Sequence, residues 1–166
     1  MEQMRRAARR SAGLLPFRLR DDRLEVLIAH MGGPIWASKD DGAWSIVKGE
    51  YEQGEEPLTA AQREFREETG AAPPSGELFE LGEIRQASGK RITAWAIDGD
   101  FDAADVHSNT FTMEWPPRSG TLQRFPEIDR AEWCDLATAR RKLVKGQVPF
   151  LDVLERRLRD AGSRSG

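Results

Sequence analysis

The sequence predicts a single layered domain of the α/β (α+β) class, with helices covering a β-sheet. Three observations point there. Short apolar runs of strand length are interleaved with longer stretches of helical periodicity, which is how a sheet covered by helices is encoded. No internal repeat and no linker divides the 166 residues, a length that suits one domain with a sizeable core. The composition is that of a globular protein: 39% apolar and 32% charged residues, with five Trp and seven Phe to fill an interior.

Residues 1–10 (MEQMRRAARR) carry positive charge with no apolar stretch behind them. They read as a flexible N-terminal arm rather than a secretory signal, and the domain proper is expected over residues 11–162. Ser11 to Phe17 and Leu24 to His30 read as two strands joined by the polar turn RLRDDR. MGGPIWASKDDG is a Gly/Pro-rich loop, and the apolar run AWSIV stops at Lys48-Gly49. Pro57 to Thr69 reads as a helix, because Pro57 suits a first turn and Gly70 suits the C′ position. LFELGEIRQ and RITAWAID follow as strands around the turn Ser88-Gly89-Lys90.

Gly99 to Ile128 reads as irregular: FTMEW alternates like a strand, whereas WPPRSG and RFPEID read as loops. AEWCD is expected to be a short last strand. Two helices close the chain, Leu136 to Val144 and Pro149 to Asp160, the second with an apolar stripe of Phe150, Val153, Leu154 and Leu158.

Charge and cysteine content narrow the function. A net charge of −3 gives no basic field for nucleic acid. Cys134 is the sole cysteine, which excludes an internal disulfide and a multi-cysteine zinc site and suits a reducing cytoplasm. No run approaches the roughly 20 apolar residues that span a bilayer. A soluble cytoplasmic protein is expected, as monomer or homodimer. His30 and His107 are isolated and support neither a metal site nor a triad.

The segment Gly49 to Ala71, GEYEQGEEPLTAAQREFREETGA, holds seven glutamates. On a helix, Leu58, Ala61 and Phe65 share one face, and Glu64, Glu67 and Glu68 gather beside it on an arc roughly 100° wide. Like charges at i,i+3 and i,i+4 repel by a few tenths of a kcal/mol per pair, and a neighbouring core adds desolvation. Arg63 reaches Glu67 at i,i+4 but does not neutralise three carboxylates. A hard divalent cation does, and oxygen-only donors favour Mg²⁺ or Mn²⁺ over zinc. A solvated, salt-bridged helix face is the bland alternative for an arbitrary RExxEE stretch.

The wider spacing decides between them. Gly49, Glu55, Arg63-Glu64-Phe65, Glu67-Glu68 and Gly70-Ala71 meet every fixed position of GX5EX7REUXEEXGU, where U is apolar. The segment therefore resembles the complete Nudix box of the MutT-type hydrolases. That resemblance implies a Nudix fold, an α/β/α sandwich around a mixed sheet. It also implies that Glu64, Glu67 and Glu68 hold Mg²⁺, with Mn²⁺ as a substitute, helped by a backbone carbonyl near Lys48-Gly49, while Glu55 and Arg63 brace the box.

The implied reaction is water attack on phosphorus in a nucleoside diphosphate linked to another group, a dinucleoside polyphosphate or nucleoside triphosphate first. Metals suit this reaction, since an acidic protein needs cations to bind a polyphosphate. Glu64 is the first candidate for proton acceptor. Glu127 is the second, with an ordinary surface carboxylate as its other reading; Glu114 is weaker.

Lys48 can meet a phosphate as a point charge, and Arg85, Lys90 and Arg91 can reach distal phosphates from the hairpin. Among Trp36, Trp44, Phe111, Trp115 and Phe125, Trp36 is the first choice for stacking on a base. The matches to substrate-specific branches are partial. An ADP-ribose or nucleotide-sugar pyrophosphatase is the enzymatic alternative, and a non-catalytic nucleotide sensor the alternative of another class. Isomerase chemistry on a catalytic cysteine is disfavoured, because Cys134 lies in an apolar run.

Overall fold

A computed structural model describes residues 9–164. Its spine is β1 (Arg10–Arg20), which runs parallel to β6 (Arg91–Asp98) with Arg10 opposite Arg91 and Phe17 opposite Asp98. The other edge of β1 is shared. β4 (Val47–Glu50) pairs antiparallel with its first half and β2 (Arg23–Met31) with its last residues. Past β1, the same edge of β2 pairs with the two-residue β3 (Trp44–Ser45), and the opposite edge of β2 pairs with β9 (Ile128–Asp135). β5 (Leu78–Arg85) completes a seven-stranded mixed sheet on the far side of β6. Because β2 and β4 take turns on one edge of β1, a cleft opens between β4 and the β2–β9 pair.

Alternation along the strands makes two apolar layers. Leu15 and Phe17 of β1 and Val26 and Ile28 of β2 face one side, with Trp44, Ile46, Leu143, Phe150, Leu151 and Leu154. That side is covered by α2 (Leu136–Lys142) and α3 (Pro149–Arg164). Ala12 and Leu14 of β1 and Leu27 and Ala29 of β2 face the other, against Ala60, Ala61 and Phe65 of α1 (Pro57–Thr69). The small Ala60 and Ala61 let α1 lie close to the sheet, and Phe65 packs edge-on against Phe101. The result is the expected α/β/α sandwich of the α+β class.

The bounds of α1 match the expectation, with Pro57 in the first turn and Gly70 at φ 79° donating its N–H to the Arg66 carbonyl. Several other elements differ. The β1–β2 connection is a two-residue turn, Asp21-Asp22, in which both residues have positive φ, so the strands are longer than expected. AWSIV divides into β3 and β4. Of the expected arm, residues 1–8 lie outside the described residues, and Arg10 already belongs to β1. β7 (Thr110–Glu114) pairs with β8 (Leu122–Pro126), so part of RFPEID is strand rather than loop. β9 begins at Ile128, three residues before AEWCD. Among the described residues, no helix is long and apolar enough to cross a membrane.

Candidate active site

The cleft between β4 and the β2–β9 pair forms a cavity of about 600 Å³. Its floor comes from β1, β2 and β4 through Ser11, Ala29, Lys48 and Gly49. Glu64 and Glu68 enter from α1, Glu127 from the β8–β9 connection, and Gln86 and Lys90 from the β5–β6 hairpin. Residues distant in sequence meet here because α1 lies across β1 and β4 while β9 closes the opposite wall. A second hollow of similar size, beside Tyr51, contains Glu50 and Glu55, but these are already paired with Arg9 at 3.7 Å and with Arg63.

Arg63 organises the outer side of α1. Its Nε and Nη2 donate to the two carboxylate oxygens of Glu55 at 2.8 and 2.9 Å, a bidentate pair that ties the preceding loop to the helix. Nη1 donates to Glu64 Oε1 at 2.9 Å and to Glu67 Oε2 at 3.1 Å. Hydrogen bonding from Arg63 holds the Glu55 carboxyl below the usual range, and Glu55 in turn raises the arginine. One guanidinium therefore touches three carboxylates: Glu55 and Glu67, the partners expected from the sequence, and Glu64 as well.

Glu64 is 7% exposed, and its carboxylate lies on the backbone of Gly49. A Cβ at position 49 would fall 1.9 Å from Glu64 Oε2, so the glycine is what lets the Glu64 carboxylate keep this position. Burial raises the Glu64 carboxyl, against the pull of Arg63. Glu68 lacks such help. Burial and the charges of Glu127, Glu64 and Glu67 push it up to about 8, with Lys48 only partly offsetting them. Burial also raises Glu127, again opposed by Lys48. Lys48 itself is lowered by burial and by Lys90. The cavity thus sets two lysines opposite three carboxylates, whose crowding is relieved by Arg63 at Glu64 and by the proton that Glu68 retains up to about 8.

The donor set of Glu64, Glu68 and Gly49, all oxygens, fits a hard divalent cation. It is not preassembled: among the described residues, no three acidic, His or Cys side chains stand close enough together to cage an ion. Glu67 has a 42% exposed side chain bonded to Arg63, and it stands outside the cavity lining.

The other residues singled out by sequence divide as follows. Lys48 and Lys90 line the cavity. Trp36 does not; it packs against the apolar layer under α3, with Lys39 over its ring at 5.2 Å. Arg85 is exposed at the end of β5, outside the lining, and Arg91 lies 3.9 Å from Glu83. Trp44 is buried, Phe111 packs on Gly33, and Phe125 pairs with Phe111 across the β7–β8 hairpin. Glu114 accepts from the backbone N–H groups of Arg118 and Gly120 and serves that hairpin's turn. Cys134 is buried. Sequence reasoning missed Gln147 of the α2–α3 connection, whose buried amide bonds Ile46 N–H and Ser45 Oγ at the cavity edge. It also missed the segment His107–Asn109, and no local pattern marks either.

Comparisons with known proteins bear on the family and the fold. The chain is 32% identical over 102 residues to an octanoyltransferase of Myxococcus xanthus, covering 61% of this chain and 25% of that protein. It is 32% identical over 128 residues to an 8-oxo-(d)GTP phosphatase of Mycolicibacterium smegmatis, covering 74% and 36%. The chain thus spans about a quarter to a third of the length of these relatives. In fold it is similar to an Ap4A hydrolase of C. elegans, at TM-score 0.62, 20% identity and coverage of 92% and 99%. It is also similar to the NUDIX domain of Shewanella oneidensis NrtR complexed with ADP ribose, at TM-score 0.63, 15% identity and coverage of 95% and 93%. Residues 7–154 match the NUDIX domain family, so the chain belongs to the Nudix family.

Proposed function

We propose that this chain is a Mg²⁺-dependent pyrophosphohydrolase acting on a nucleoside diphosphate linked to a further group, with a nucleoside or dinucleoside polyphosphate as the preferred class. The observation that carries this reading is the crowding of Glu64, Glu68 and Glu127 around one cavity, close enough that Glu68 keeps its proton up to about 8, facing Lys48 and Lys90. Buried carboxylates in mutual repulsion cost stability unless a cation joins them. A polyphosphate supplies anions for the lysines, and a divalent ion reconciles the two sets of negative charge. The phosphatase named among the relatives supports the substrate class.

Glu64, Glu68 and the Gly49 carbonyl would hold the ion, with Glu67 joining if it turned from Arg63. When bound, a divalent cation neutralises phosphate charge and polarises the phosphoryl group. Lys48 and Lys90 orient the phosphates as point charges. The attacking water forms a bond to phosphorus as the bridging P–O bond breaks. Glu127 takes the water's proton, since its carboxylate faces the cavity with a raised proton affinity. Glu64, the first candidate from sequence, is already engaged by Arg63 and packed on Gly49.

A second reading, in which ADP-ribose is the ligand, is favoured by the fold shared with the ADP-ribose-bound domain. One assay addresses both: incubation with Mg²⁺ and diadenosine tetraphosphate, 8-oxo-dGTP, dGTP or ADP-ribose, with products resolved by chromatography. Mg²⁺-dependent cleavage of a phosphoric anhydride, weakened by E127Q, is expected. Binding without turnover across the panel identifies a sensor instead.

A further inference from the structure

We propose that the contact between the buried His30 and the partly exposed Asp129 is a positioning device that fixes Glu127 in the cavity. The proposal rests on the reading of Glu127 as proton acceptor. It begins with a fault in the β2–β9 ladder. Pairing proceeds in register from Glu25 opposite Asp135 to His30 opposite Arg130, then resumes with Met31 opposite Ile128. Asp129 is therefore the extra residue of a bulge, a feature that bends a strand and re-aims its neighbours.

The bulge turns Asp129 toward His30. Both its carboxylate oxygens meet His30 Nδ1, at 2.8 and 3.0 Å, and the imidazole is fully buried. His30 Nε2 donates to the Lys39 carbonyl at 2.7 Å, and the ring stands edge-on to Trp44 with centroids 5.1 Å apart. Both ring nitrogens are thus committed, and the packing leaves the ring no second orientation. A contact between a buried imidazole and a partly exposed carboxylate adds little net stability; its best use is to select one conformation.

That conformation is the one that presents Glu127. The Glu127 N–H donates to the Asn109 carbonyl at 2.8 Å, and its carbonyl accepts from Gly32 N–H at 2.9 Å. Ser108 Oγ bonds both the N–H and the carbonyl of Ile128, each at 3.0 Å. The same strap reaches α1, because Asn109 N–H donates to the Glu67 carbonyl and His107 N–H to that of Thr69. Gly32 packs so tightly on Pro126 that a Cβ would fall 1.9 Å from its carbonyl oxygen. Glu127 is held between two supports, and the bulge at Asp129 sets how far β9 must bend to reach them.

Two readouts test this in the full chain. The first is amide hydrogen exchange at Glu127 and Gly32, which needs neither metal nor substrate. D129A is expected to speed both by about tenfold relative to β6 amides, and D129N, which can still bond His30, to restore them. The second is turnover of diadenosine tetraphosphate, 8-oxo-dGTP and ADP-ribose with Mg²⁺. D129A should lower kcat by about tenfold or more with little change in KM, and should add less than about twofold in an E127Q background. H30L, which removes both histidine bonds, gives the same pattern should D129A not fold.

Unchanged exchange at Glu127, or an equal rise at every amide, overturns the positioning role. So does a full further loss of kcat when D129A is added to a slow E127Q enzyme. Wild-type turnover by E127Q instead removes Glu127 from the chemistry. The exchange measurement then still decides whether the pair holds the loop.

Discussion

The carboxylate of Glu64 rests on the backbone of Gly49, at a place where a single added methyl group would collide with Oε2. This contact joins β4 to α1 at the cavity floor. It gives the glycine a steric purpose rather than a conformational one.

G49A must move either the helix or the Glu64 side chain. Overpacking of this kind costs about 1–3 kcal/mol. At this chain length that corresponds to a fall in Tm of about 2–12 °C. Because Glu64 shifts with it, turnover should fall by about a hundredfold. Calorimetry and a steady-state assay check both; an unchanged Tm with normal turnover would mean that the close approach does not exist.

Glu68 gives the metal-free protein a pH dependence of stability with a definite sign. Its carboxyl is raised from an ordinary 4.5 to about 8 in the fold, chiefly by burial. Between those values the folded state binds more protons than the unfolded state, so stability falls as pH rises through this window. Glu64 and Glu127 are shifted in the same direction. Urea midpoints of the metal-free protein should decline from about pH 5 to pH 8. E68Q should flatten the decline, and a slope left intact by E68Q would place its origin elsewhere.

How much of this was legible in the sequence follows from what each residue answers to. Pro57 and Gly70 bound α1 because both act locally, one through fixed φ and the other through positive φ. The box glutamates could be read because spacing on a helix determines which side chains share a face. β8 could not: its hairpin with β7 pairs only with itself, and Leu122 is 71% exposed, so no apolar alternation marks it. The start of β9 was hidden by the bulge, which breaks the period of two at Asp129. Trp36 misled because an aromatic in a glycine-rich loop resembles a base platform, whereas tertiary packing draws it to the α3 side. Nothing local in HSN, residues 107–109, announces a strap between α1 and Glu127.

Cys134 should be inert. Burial pushes its thiol up to about 11, and the side chain sits in the apolar layer under α2 and α3. The thiolate is the reactive form, so labelling by a water-soluble disulfide reagent at pH 8 should be very slow in the folded protein and rapid after unfolding. C134A should keep its turnover within about twofold, as expected for a group remote from the cavity. Rapid labelling of the native protein, or loss of turnover in C134A, would bring cysteine chemistry back into consideration.

The central claim is that the charge gathered by Glu64, Glu67 and Glu68 is resolved by a divalent ion. Titrating the metal-free protein with Mn²⁺, and following the free ion by electron paramagnetic resonance, tests it without reference to any substrate. Saturable binding, proton release at pH 7 as Glu68 ionises, and weakening of about tenfold or more in E68Q are the predicted results. A well-folded protein that leaves Mn²⁺ free in solution, or that binds it equally well as the E64Q/E68Q double variant, would contradict the account.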